Sequence, residues 1–141
     1  MPETINPKGQ CLCGKVTISL HDTKPEIGVC HCTMCRNWSG GPFLSLDAGQ
    51  NISVDGVDSV SSYASSEWAE RAFCKYCGTH LYYRLKHNNA HHVLAGLFQG
   101  DEQLTMDHQI FIDQKPDYYS FSQNTKVSTS AEVMAMFAGE N

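Results

Sequence analysis

No apolar run in this 141-residue sequence approaches the roughly 20 residues that a membrane helix needs, so no membrane association is expected. The first residues, MPETINPKG, contain no apolar h-region, so a secretory leader is not expected either. A basic cluster is also missing. The formal net charge is −5, and neutralising phosphates takes massed Lys and Arg, so nucleic acid is disfavoured as a partner. There is no internal repeat, low-complexity tract or evident linker. Charge is sparse at 18% against 41% hydrophobic residues, a balance that excludes a disordered chain. What remains is a single domain, 1–141, with a modest core. Its expected address is cytoplasmic, where thiols stay reduced.

What is present is mainly β in pattern. KVTISL (Lys15 to Leu20) alternates, with Val16, Ile18 and Leu20 on one face. Leu44 and Leu46, then Ile52 and Val54, alternate likewise. The stretch from Ala72 to Leu85 is interrupted by CKYCG, and HHVLAGLF and HQIFID are further strand candidates. Turn signals separate them: DTKPEIG, DAGQN, VDGVDS, KHNNAHH and DQKPD. SAEVMAMF (Ser130 to Phe137) reads as a short C-terminal helix with Ser130 at its N-cap and Val133, Met134 and Phe137 facing a core.

Seven cysteines are many for a reduced compartment. An odd number cannot be consumed by disulfides, so metal binding or thiol chemistry is the better account. They fall into CLCG (Cys11, Cys13), VCHCTMC (Cys30, Cys32, Cys35) and CKYCG (Cys74, Cys77). A C-x-x-C-G turn aims two sulfurs at one point. A C-x-C on an extended strand puts both sulfurs on one face, with Leu12 pointing away. Two partitions follow. Cys32, Cys35, Cys74 and Cys77 can form a zinc ribbon, leaving three thiols spare. Alternatively, Cys11, Cys13, Cys74 and Cys77 close one site while Cys30, Cys32 and Cys35 form another. Four ligands make a structural zinc; three leave a position open for chemistry. Inert buried thiols and a redox pair at Cys32–Cys35 are the competing readings, and no βαβ pattern supports the redox pair.

The series CLCGKV, CHCTMCR, FCKYCGTHL and DHQIFIDQKPDYY resembles the glutathione-dependent formaldehyde-activating enzyme family, which includes the domain of centromere protein V. The match runs from Gly9 to about Tyr119. The resemblance implies the second partition: a structural zinc at Cys11, Cys13, Cys74 and Cys77, and a catalytic zinc at Cys30, Cys32 and Cys35. It also implies a zinc-stapled, antiparallel fold of the β-tent type. The implied activity is that of a carbon–sulfur lyase, joining glutathione and formaldehyde as S-(hydroxymethyl)glutathione. One departure is that Asp117, Tyr118 and Tyr119 stand where the family often has Trp after Lys-Pro.

Three thiolates give zinc a formal charge of −1 and a vacancy for a small-molecule thiol such as glutathione, ionised by the metal. That thiolate can attack an aldehyde carbon. Arg36, next to the last ligand, offsets the negative charge or clamps a substrate carboxylate. His108 is a candidate general acid–base. His31 points away from the metal and supports it indirectly. His80 is a strand residue without direct chemistry, and His91 and His92 fall in an exposed turn. Trp38 walls a pocket or packs in the core, beside glycines (Gly40, Gly41) that permit close approach of a ligand. Tyr118 and Tyr119 are assigned to packing. The competing functions are a structural zinc module for protein or nucleic-acid binding, a zinc hydrolase, and a methionine sulfoxide reductase. The last needs a reactive thiol late in the chain, and no cysteine follows Cys77.

Overall fold

The computed structural model describes residues 3–100 and 103–139. The chain folds as two compact units, Met1–Pro25 with Ser45–Leu104, and Glu26–Leu44 with Thr105–Asn141. Among the described residues no helix is long and apolar enough to cross a membrane.

The first unit is antiparallel throughout. Strands β1 (Lys8–Gln10), β2 (Thr17–Leu20) and β5 (Ile52–Asp55) form one small sheet, with β2 central. A second run joins β4 (Phe43–Gly49, most of which lies in this unit) to β9 (Ala90–Leu94), β8 (His80–Leu85), β7 (Ala69–Cys74) and β6 (Val60–Tyr63). The alternation in KVTISL is realised directly, since Val16, Ile18 and Leu20 are all fully buried. Leu46, Leu81 and Val93 are as completely enclosed. Burying aliphatic side chains of this size contributes on the order of 2 kcal/mol each. The turn expected across KHNNAHH is shorter than its polar sequence suggests. Lys86–Asn89 makes it, and His91 is buried in β9, its Nδ1 3.0 Å from the carbonyl oxygen of Gly49 and its ring edge-on to Tyr82.

The second unit departs from the antiparallel expectation. Strand β10 (Thr105–Ile110) lies between β3 (Glu26–Cys30) and β11 (Lys126–Ser128), and both pairings are parallel. Parallel neighbours need a long crossover, and residues 111–125 supply it between β10 and β11. Among the described residues the α-helices of this unit are α1 (Thr33–Ser39) and α2 (Ser130–Gly139). The N-cap of α2 is Thr129, not Ser130. The Thr129 N–H donates to Glu132 Oε1 (2.9 Å), and the Glu132 N–H donates back to Thr129 Oγ1 (3.2 Å), a reciprocal capping box. The Ser130 hydroxyl is committed elsewhere, donating to Asp113 Oδ2 at 2.8 Å. The apolar stripe of α2 is also narrower than read. Val133 is buried, whereas Met134 is 61% exposed and Phe137 faces solvent in part.

Candidate metal centres

In the first unit the sulfurs of Cys11, Cys13, Cys74 and Cys77 all lie within 4.8 Å of one another. Cys11 and Cys13 sit in a turn, not on an extended strand. The Cys11 N–H donates to the Val16 carbonyl (3.0 Å), and the Gly14 N–H donates to that of Cys11 (3.1 Å), folding β1 back into β2. Leu12 is 89% exposed at the tip. The second knuckle begins as β7 ends. The Gly78 N–H donates to the Cys74 carbonyl (2.8 Å), with Gly78 at φ +78°, a conformation that glycine adopts without penalty. Thr79, which the sequence did not single out, rivets the two knuckles together. Its Oγ1 accepts from the Leu12 N–H at 3.1 Å and lies 3.2 Å from Cys77 Sγ. Hydrogen bonds from the Thr79 hydroxyl and backbone hold the Cys77 thiol down at about 5.

The Sγ–Sγ separations of Cys11–Cys13 (3.6 Å) and Cys13–Cys74 (3.7 Å) suit a tetrahedral ion. Zinc–sulfur bonds of ~2.3 Å place sulfurs about 3.8 Å apart. The donor set and its spacing therefore fit zinc.

In the second unit the sulfurs of Cys30, Cys32 and Cys35 gather within 4.8 Å of one another. Cys30 ends β3. Cys32 caps α1, its Sγ accepting from the Cys35 N–H at 3.3 Å, and Cys35 is buried in the first turn. This helix was not legible in the sequence. Gly40 ends it in the left-handed region, its N–H donating to the Arg36 carbonyl. Gly40 therefore terminates a helix, and a β-carbon at Gly40 or Gly41 would meet nothing within 4 Å. The Cys30 thiol is pushed far up by its contacts with Cys32 and Cys35 and by burial. Thiols packed this way resist ionising together unless a cation neutralises them, so this donor set also fits a metal.

His31 lies fully buried between two of these thiols. Its Nδ1 is 2.8 Å from the Tyr119 hydroxyl, and its Nε2 is 2.7 Å from Gln109 Oε1. Burial holds its pKa below the usual imidazole value. Arg36 donates through Nε to the His31 carbonyl at 2.9 Å. Trp38 tilts against Phe43, centroids 5.9 Å apart. Tyr118 is exposed but sets its ring edge-on to Tyr119, and Tyr119 packs against His31 and also hydrogen-bonds it.

His108 sits within β10, in register with Gly28 of β3, and Ile110 is in register with Cys30. Alternation along the strands places Gly28, Cys30 and His108 on one face of the sheet, and Val29, His31 and Gln109 on the other. The His108 Nδ1 is 3.0 Å from Asp107 Oδ2.

Residues 6–114 match the family described as glutathione-dependent formaldehyde-activating enzyme. A Schizosaccharomyces pombe protein named as an uncharacterized lyase is 42% identical over 135 residues, covering 95% of this chain and 96% of its own. The crystal structure of a Rhodobacter sphaeroides protein superposes with a TM-score of 0.56 at 23% identity, over 66% of this chain and 88% of that one; at that identity the likeness concerns the fold. With the matched segment containing all seven cysteines, the chain belongs to the glutathione-dependent formaldehyde-activating enzyme family.

Proposed function

We propose that the protein is a zinc-dependent carbon–sulfur lyase-type enzyme acting on a thiol–aldehyde adduct, with S-(hydroxymethyl)glutathione, formed from glutathione and formaldehyde, as the leading candidate. The observation that carries this reading is the unequal sharing of sulfur, four thiols in one unit and three in the other. Cys11, Cys13, Cys74 and Cys77 close a structural site. Cys30, Cys32 and Cys35 hold a second metal with one position left for substrate. Zinc bound there supplies the positive charge that keeps an incoming thiol in its nucleophilic thiolate form.

The remaining work falls to side chains. In the forward direction the substrate sulfur bonds to the aldehyde carbon while the carbonyl oxygen gains a proton. His108, on the same strand face as Cys30, donates that proton and recovers it in reverse. The Arg36 guanidinium, tethered through Nε to the His31 carbonyl, presents its terminal amines to a carboxylate of the thiol substrate. The family match and the lyase-named relative support the class of reaction.

The test is the rate at which glutathione and formaldehyde interconvert with their adduct, followed by exchange NMR against the uncatalysed reaction. Acceleration by the wild type and none by Cys32→Ser is the expected result. A wild type that binds both metals yet leaves the spontaneous rate unchanged would overturn the assignment.

A further inference from the structure

His31 is the middle residue of C-H-C, and every polar atom it owns has a partner. Its N–H donates to the Ile110 carbonyl (3.2 Å), and its carbonyl accepts from Arg36 Nε (2.9 Å). Its ring nitrogens meet Tyr119 and Gln109 at 2.8 and 2.7 Å. Gln109 donates through its amide nitrogen to Thr125 Oγ1 at 2.9 Å. The Gln109 oxygen is therefore the atom facing His31, so His31 Nε2 carries the proton and Nδ1 accepts from the Tyr119 hydroxyl. Tyr119 also stacks on the imidazole, centroids 5.5 Å apart, and Lys115 Nζ fixes the Tyr119 carbonyl at 2.7 Å.

Burying a polar chain of this kind costs desolvation that an apolar residue would avoid. What it supplies is orientation. Cys30 and Cys32 flank His31, so a residue anchored at its ring, N–H and carbonyl holds in place the backbone that carries both thiols. We infer that Gln109 and Tyr119, acting through His31, are positioning residues that set the direction of the three-thiol loop and so the affinity of its metal. The inference rests on the reading of Cys30, Cys32 and Cys35 as ligands. It adds residues from β10 and the 111–125 crossover, neither of which contributes a sulfur.

The experiment compares wild type, Gln109→Leu, Gln109→Glu and Tyr119→Phe. Zinc transfer to a chromophoric chelator is titrated for each, and thermal unfolding is recorded with zinc in excess. Gln109→Leu and Tyr119→Phe should surrender the more weakly held zinc about tenfold more readily, the size of effect seen when supports of metal ligands are removed. The tighter zinc should be held as in wild type, and the unfolding midpoint in excess zinc should fall by only a few degrees, the cost of leaving one His31 ring nitrogen without its partner. Gln109→Glu keeps the acceptor for Nε2–H and should recover most of the affinity. Titrations of Gln109→Leu and Tyr119→Phe that superimpose on wild type overturn the inference, as does loss of both zinc ions in step. A wild type that holds only one zinc overturns the ligand reading itself, and this inference with it.

Discussion

A β-carbon added to Gly28 would come within 2.5 Å of the His108 Nε2. The imidazole lies over the bare backbone of β3, two residues before the Cys30 thiol, because β10 and β3 run parallel in register there. Substituting His108 with Asn should lower turnover by about 100-fold if it moves the proton. Gly28→Ala, which displaces the ring and leaves its chemistry intact, should cost about tenfold, since a small misplacement of a catalytic group is expensive. Metal content should be unchanged in both. Steady-state kinetics beside zinc analysis checks this, and an unaltered kcat in His108→Asn would remove His108 from the reaction.

Cysteines of the two clusters should fail differently. Cys74→Ser breaks a four-sulfur site that staples β7 to the β1–β2 turn, and structural metal is folding energy. Soluble yield and thermal midpoint should collapse. Cys30→Ser should fold with a midpoint near wild type and lose turnover. Equal damage to folding from both would favour a purely structural zinc module.

Arg36 should matter according to the substrate's charge. A charge-assisted pair is worth about 2 kcal/mol, so Arg36→Lys should raise KM for glutathione by roughly tenfold or more. A small thiol without carboxylates should be nearly indifferent to the change. Measuring KM for both thiols separates a carboxylate clamp from a general loss of the site.

Much of this architecture was legible, and the gaps have physical causes. The KVTISL alternation announced a half-buried strand because a sheet edge pattern has period two. The knuckle at Cys74 and Cys77 was legible because C-x-x-C-G encodes a turn. Strand β3, EIGVC, was missed: Pro25 and Gly28 make DTKPEIG read as a turn, and Ile27 and Val29 alone are too short an alternation to outweigh it. Helix α1 was missed because seven residues are too few to show a 3.6-residue period, and its cap is a cysteine. The buried partners of His31 were invisible for another reason. Gln109 and Tyr119 stand 78 and 88 positions from it in sequence, and only the parallel pairing and the crossover bring them together.

The start of α2 should be acid-sensitive. Asp113 accepts from the Ser130 hydroxyl and N–H, and these bonds hold its carboxyl below the ordinary value of 3.8. A depressed folded-state pKa means the contribution is complete above 3.8 and is lost as pH falls through the lower folded value. Protection factors across residues 130–139, taken against the intrinsic exchange rate at each pH, should therefore fall as the pH drops below 3.8. Asp113→Asn should show the faster exchange already at neutral pH. Equal protection in the variant and the wild type at pH 7 would discard the link.

In the proposed assignment four thiols serve one metal and three serve another. Zinc counted per chain by atomic emission, in wild type and in Cys32→Ser, tests it most directly. About two zinc ions should fall to about one, with the remaining ion lost only when Cys74 or its partners are changed. One zinc in the wild type, unaffected by Cys32→Ser, would contradict it, and so would the loss of both ions from that single change.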